Sequence, residues 1–234
     1  MGKISGLKVL ITGGSSGIGK ATAQELINKG AIVCITGRDK KKLENVASLI
    51  NAIPIHLDVS NYNSIAVKTL DAFHSMKGLD VLINNAGIGE FSKIDDIKIE
   101  QFERVFSTNV FGLTMLTQEV VKFFKTQQHG TIINIGSTAA SNGFGSGSVY
   151  SASKFALRGL TQCWRHELRR DNIRVMLVNP SEVTTAFNAP DRTEREEVEN
   201  KLSPKEVAHA IISAIEMDDR GFIPELNIWA TNPF

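Results

Sequence analysis

Tyr150 and Lys154 stand four residues apart in the stretch VYSASKFAL, and Ser137 lies thirteen residues before the tyrosine. Residues four apart share one face of a helix, so the pattern sets a phenol beside an ammonium. A phenol, an ammonium and a hydroxyl are the equipment of general acid–base work on a carbonyl or alcohol oxygen. An unperturbed phenol has a pKa of about 10, and bringing it to neutrality takes about 4 kcal/mol. A unit charge about 4 Å away, in an effective dielectric near 20, supplies roughly that much. Lys154 is therefore expected to lower the Tyr150 pKa, with Ser137 holding the substrate oxygen. The same spacing also occurs on ordinary amphipathic surfaces, and it gains meaning from the rest of the chain.

The run Thr12-Gly13-Gly14-Ser15-Ser16-Gly17-Ile18-Gly19 follows the apolar Val9-Leu10-Ile11 and opens a helical pattern. Glycines there allow a tight turn, a close approach to a pyrophosphate and close packing of the next helix, whose N-terminus attracts phosphate. A strand before and a helix after is the context this motif needs. The second strand ends Ile35-Thr36-Gly37-Arg38. An acidic residue at position 37 would bond the ribose hydroxyls of NAD, whereas an arginine just beyond it suits the 2′-phosphate of NADP. Gly37 and Arg38 favour NADP; against this, Arg38 has the ordinary alternative of an exposed strand-end arginine, and Asp39 of folding back to the ribose.

These residues need a frame. Continuous apolar runs predict strands at Lys8-Thr12, Ala31-Thr36, Ile53-Val59, Leu79-Asn84, Thr131-Ser137 and Arg174-Asn179, with a last one near Leu226-Trp229. Helices are expected near Gly17-Lys29, Lys40-Asn51, Asn61-Lys77, Ile99-Thr126, Tyr150-Arg170 and Pro204-Met217. Strands that are apolar throughout are covered on both faces, so the expectation is an α/β chain with a doubly wound parallel sheet. With no linker or repeat, residues 1–234 are read as a single domain. Within the fourth helix, Phe102, Phe106, Asn109, Leu113, Leu116 and Val120 trace one face, so an amide interrupts an apolar stripe. Buried without partners it would cost about 1 to 3 kcal/mol; the ordinary explanation is a core asparagine bonded to backbone.

The glycine spacing, Asn84-Asn85-Ala86-Gly87 after the fourth strand, Ser137 after the fifth and Tyr150-x-x-x-Lys154 occur in that order. Together they make the chain resemble the short-chain dehydrogenase/reductase family over nearly its whole length. The resemblance implies a single-domain Rossmann fold with a seven-stranded parallel sheet. It implies that Asp58 and Val59 contact the adenine, and that Asn85, Ala86 and Gly87 line the nicotinamide ribose side. It further implies that Lys154 bonds that ribose, and that a helix distortion at Asn109 lets a water link it to Lys154. The expected reaction passes hydride between the nicotinamide of NADP and a carbonyl or secondary alcohol, as in 3-oxoacyl-acyl-carrier-protein reductases or broad carbonyl reductases. A nicotinamide sensor without turnover is the alternative. The family usually has Pro-Gly where this chain has Pro180-Ser181; Val183 and Thr184 still fit the pattern, and Ser181 raises the expectation of a slightly altered loop.

The remaining residues narrow the setting. With 26 basic and 25 acidic residues the charge nearly cancels, which argues against nucleic acid. Lys40-Lys41-Lys42 reads as a solvated helix start. No metal-ligand spacing, secretion signal or bilayer-length apolar segment is seen, so a cytoplasmic protein without membrane association is expected. Cys34 and Cys163 are too few for a disulfide framework, and Cys34 reads as a buried strand thiol. The charged Asp191-Asn200 reads equally as a surface helix or as a lid. Phe91, Phe144 and Phe187 either line the substrate pocket or cap the core. Homodimers or homotetramers are the family's habit, with Phe123, Phe124, Leu157, Leu160 and Trp164 as candidate surface or core.

Overall fold

Alternating apolar runs and amphipathic segments produce seven strands and seven α-helices in the computed structural model, which describes residues 4–188 and 194–233. In chain order these are β1 Lys8–Ile11, α1 Gly17–Asn28, β2 Ile32–Gly37, α2 Lys40–Ile50, β3 Ile53–His56, α3 Tyr62–Met76 and β4 Val81–Asn84. There follow α4 Ile99–Phe106, α5 Leu113–Gln127, β5 Gly130–Ile135, α6 Ser148–Leu168, β6 Ile173–Pro180, α7 Pro204–Glu216 and β7 Glu225–Ile228. All strand pairs are parallel, in the order β3-β2-β1-β4-β5-β6-β7. The order reverses between β1 and β4, and a crevice opens there beyond the carboxyl ends of the strands.

The pleat divides the core. Val9, Ile11, Ile35, Ile83 and Val178 face α1, α2 and α7, while Leu10, Cys34, Leu82, Ile132 and Val175 face α3 and α5. Burial alone pushes the Cys34 thiol up to about 12, as befits an inert strand residue. This is the expected doubly wound Rossmann fold.

One expectation, a continuous fourth helix, is corrected, and two open alternatives are narrowed. The segment expected as one helix from Ile99 to Thr126 is split by a π-helical turn, Ser107–Gly112, between α4 and α5. At Gly112 a side chain would collide with the Val59 carbonyl, so the glycine lets this turn press against the loop that follows β3. Of Asp191-Asn200, residues 191–193 lie outside the described residues, and 194–198 form no helix. Glu194, Glu196, Glu197 and Glu199 would crowd like charges at helical spacing; Glu194 instead pairs with Lys20 at 3.6 Å. Among the candidate interface residues, Phe124 and Leu157 are fully buried and Phe123 stacks on Phe73 with ring centroids 4.3 Å apart. The apolar side chains that α5, α6 and the π turn do expose are Phe111, Met115 and Phe155.

Candidate active site

A cleft of about 1140 Å³ runs along the carboxyl edge of the sheet, from the glycine turn to Tyr150 and on to Trp229. At its near end the turn after β1 places Gly13, Ser15, Ser16, Gly17 and Ile18 on the wall. Gly13 and Gly17 have φ of +65° and +50°, a region that L side chains adopt at a cost. Ser16 caps α1 with no side-chain hydrogen bond, which leaves the first amides of this helix for an anion. Gly19 departs from expectation, since it lies under the turn rather than on the wall. A side chain there would meet the Asn85 carboxamide and the Gly13 carbonyl.

Asn85, Ala86 and Gly87 line the middle of the cleft through their backbone. The Asn85 side chain is engaged elsewhere, donating to the Thr12 and Gly13 carbonyls at 2.9 and 3.0 Å. Thr12 Oγ1 returns the connection by accepting the Asn85 and Ala86 N–H groups, each at 3.0 Å. Asp58 and Val59 lie on the wall, with Asp58 Oδ1 accepting from the Ser60 N–H and hydroxyl. Arg38 is exposed at the rim beside Lys42, which lines the cleft instead of merely facing solvent. Asp39 lines the cleft too and caps α2, its Oδ1 accepting the Lys42 N–H at 3.0 Å.

Ser137, Tyr150 and Lys154 meet at the far end of the cleft. Ser137 caps a short 3-10 turn, its Oγ accepting the Ala139 N–H at 3.1 Å, and it stands close enough to the Tyr150 phenol to pull the phenol's pKa down. Lys154 is 5% exposed, lies 5.7 Å from the Tyr150 ring centroid and donates to the Ile135 carbonyl at 2.8 Å. The expected depression of Tyr150 by Lys154 is not what this arrangement does. Burial is the larger influence and pushes the phenol above its ordinary value, with the Ser137 hydrogen bond pulling partly the other way. The same loss of water lowers Lys154 to about 8, because a buried ammonium is disfavoured.

Asn109 stands behind the wall in the π turn, 1% exposed. Its carboxamide accepts the Ile88 N–H and donates to the Ile88 carbonyl, both at 2.9 Å, and also donates to Ser153 Oγ at 3.0 Å. The backbone-bonded core asparagine and the distorted helix thus coexist. A Cβ on Gly87 would stand 3.4 Å from Asn109 Oδ1 and 3.8 Å from Lys154 Nζ, so the two groups flank one space.

Phe91 and Phe187 both pack against Tyr150, with ring centroids at 5.6 Å each, and Phe144 lies 6.0 Å from Phe91. All three belong to the cleft rather than the core. Pro180, Val183 and Thr184 complete the wall, joined by Arg195 and Val198 from the charged segment. Ser181 does not occupy the left-handed region and donates its N–H to the Ile228 carbonyl at 2.8 Å, so the serine costs the loop nothing. Sequence reasoning passed over Thr36, Lys42 and Trp229 on the wall and Asn179 behind it; an asparagine ending an apolar strand was the available signal for the last.

The cleft fits a dinucleotide. The glycine turn leaves a cradle that side chains would fill, and the cleft wall also holds Thr36 and Thr184, whose Oγ1 atoms are both buried without a hydrogen-bond partner. Comparison with known proteins agrees with this class. The short chain dehydrogenase pattern matches residues 7–196, and the chain belongs to that family of oxidoreductases. It is 32% identical over 230 residues, 92% of this chain and 89% of the other, to the NADP-dependent 3-hydroxy acid dehydrogenase of Schizosaccharomyces pombe. Among solved structures it resembles a putative betaketoacyl-ACP reductase at 31% identity and a TM-score of 0.83, covering 97% of this chain and 98% of that one. A metagenomic short-chain oxidoreductase in complex with NADP matches at 30% identity and a TM-score of 0.82, covering 97% of each chain. Among the described residues no helix is long and apolar enough to cross a membrane, and no cluster of metal-ligating side chains occurs.

Proposed function

We propose that this oxidoreductase reduces apolar carbonyl compounds to secondary alcohols with NADPH. The observation that carries this reading is the meeting of Ser137, Tyr150 and Lys154, walled by Phe91 and Phe187, in the cleft that begins at the glycine turn. NADPH supplies the hydride when bound. Gly13 through Ile18 and the free amides of α1 hold its pyrophosphate. Arg38 and Lys42, both on the cleft wall, would meet the 2′-phosphate, and Gly37 presents no carboxylate to the ribose. Lys154 and Thr184 serve the nicotinamide half.

Ser137 and Tyr150 converge on the carbonyl oxygen, and Tyr150 donates the proton. A phenol kept neutral by burial is a proton donor at neutral pH, the form that carbonyl reduction needs. Asn109 and Lys154, on either side of the space at Gly87, would hold the water that returns the proton. The aromatic wall favours an apolar substituent on the carbonyl carbon, and the 3-oxoacyl thioesters and 3-hydroxy acids named for relatives fall within that range. Homo-oligomerisation through α5 and α6, and residence in a reducing cytoplasm where Cys34 and Cys163 stay free, complete the proposal.

A panel of acyl thioesters, aldehydes, aryl ketones and sugars assayed with both reduced cofactors tests it. NADPH should be clearly preferred, and Arg38→Leu should raise its KM about tenfold or more, the value of a charge-assisted bond. Tyr150→Phe should lower kcat by about 10²-fold or more while binding NADPH. Comparable efficiency with NADH would overturn the cofactor assignment. Tight NADPH binding without turnover of any carbonyl would turn the reading toward a nicotinamide sensor.

A further inference from the structure

Asn179 is the last residue but one of β6, directly before Pro180, and is 1% exposed. Its Oδ1 accepts the backbone N–H of Ser137 at 3.2 Å. Its Nδ2 donates to Glu225 Oε1 and to Asn227 Oδ1, each at 3.0 Å. Glu225, on β7, receives the guanidinium of Arg158, with Nη2 at 3.2 Å from Oε1 and Nε at 3.3 Å from Oε2. Arg158 lies one turn beyond Lys154 on α6, the helix that also carries Tyr150. Four elements, β5, β6, β7 and α6, are therefore joined through one buried carboxamide. A side chain on Gly136 would collide with Asn179 Oδ1, so the residue before Ser137 must be glycine for the carboxamide to reach.

We propose that Asn179 is a positioning residue for Ser137, holding the backbone from which the serine hydroxyl addresses Tyr150 and the substrate oxygen, and that Glu225 and Arg158 hold Asn179 to this task. The proposal rests on the acid–base roles given to Ser137 and Tyr150. A serine hydroxyl turns about a single bond, so its aim depends on where the backbone sits and on what its oxygen accepts. Here the Ala139 N–H bonds the oxygen and the Asn179 carbonyl fixes the amide, so the serine hydroxyl is held from two sides where it acts on the phenol. Only a carboxamide meets both demands at position 179, since it presents an acceptor toward Ser137 and donors toward a carboxylate.

Two variants, Asn179→Leu alone and Asn179→Asp combined with Glu225→Gln, separate positioning from mere sheet bonding. Asn179→Leu fills the space and orphans the Ser137 N–H. It should lower kcat by about tenfold or more, the worth of one directed hydrogen bond, with the KM for NADPH held within about threefold. The double variant exchanges carboxylate and carboxamide. The new carboxylate at position 179 still accepts the Ser137 N–H, and the new carboxamide at position 225 becomes the donor between the two; kcat should return to within about threefold of the natural protein. If Asn179→Leu fails to fold, Asn179→Ser, too short to reach Ser137, is read in its place.

A second readout does not depend on turnover. The chain has two tyrosines, so in a Tyr62→Phe background the ultraviolet titration of the phenol reports Tyr150 alone. The groups facing that phenol are Ser137, Lys154 and the rings of Phe91 and Phe187. Because the serine bond lowers the Tyr150 pKa, its midpoint should rise when Asn179 is replaced by leucine. An unchanged midpoint, a kcat within threefold, a parallel loss of kcat and NADPH affinity, or a double variant as slow as Asn179→Leu would each overturn the proposal. Absence of turnover in the natural protein would instead count against the carbonyl-reduction reading, and the titration alone would then decide the role of Asn179.

Discussion

Lys154 has its ammonium turned to the Ile135 carbonyl, and removal from water brings its pKa down to about 8. An unfolded lysine titrates near 10.4, so between about pH 8 and 10.4 the unfolded chain binds the extra proton. Stability from this group therefore rises with pH across that window, and below it the folded state carries the full cost of a buried charge. Urea unfolding of the natural protein and Lys154→Met at a series of pH values should show the natural protein gaining on the variant from pH 8 upward. A constant difference would contradict the assignment. The same titration sets function: kcat/KM for NADPH reports the free enzyme, and its alkaline limb should fall near pH 8 if the ammonium is needed. With the anionic cofactor bound the charged form would be favoured, so the limb of kcat should lie higher. Identical limbs for the two parameters would show that Lys154 does not feel the cofactor.

The π turn between α4 and α5 bears on what a sequence can disclose about an element. The stripe Phe102 to Val120 advances in steps of three and four that continue through the turn, so periodicity alone draws one helix. Only Asn109, an amide on an apolar face, marked the place, and its three hydrogen bonds to Ile88 and Ser153 are long-range contacts that no local pattern contains. Capping chemistry, by contrast, is local. Ser203, Pro204 and Glu206 form a capping box with proline at the first turn of α7, and that helix begins where expected. The pKa of Tyr150 was misjudged for the same reason as the π turn, since a charge four residues away is visible in the sequence while the rings of Phe91 and Phe187 are not. At this scale Gly112→Ala should force the π turn off the Val59 carbonyl and lower the unfolding free energy by about 1 to 3 kcal/mol, as overpacking does. Calorimetry of the two proteins checks it, and an unchanged melting temperature would mean the turn can yield.

For the molecule as a whole, the apolar strands and their helical connections left little choice of architecture, because a strand with no polar face must be covered on both sides. The surface was less legible. Phe123, Phe124, Leu157, Leu160 and Trp164 looked as suited to an interface as Phe111, Met115 and Phe155, for hydrophobicity alone does not say which face of a helix meets the sheet. The structure separates them: Phe124 and Leu157 lie inside, while Phe111 is 50%, Phe155 46% and Met115 38% exposed. Single exposed apolar residues are common on monomers, but three large ones on adjoining elements are more than scatter, and burying them would contribute about 1.5 to 3 kcal/mol each. If α5 and α6 meet a second copy through this face, Met115→Glu with Phe155→Glu places unpaired charges in the contact and should drive the protein to monomers in light scattering. The cleft lies at the strand ends and not on these helices' outer faces, so NADPH binding by the monomer should persist. An unaltered mass in the double variant would place the contact elsewhere on the molecule.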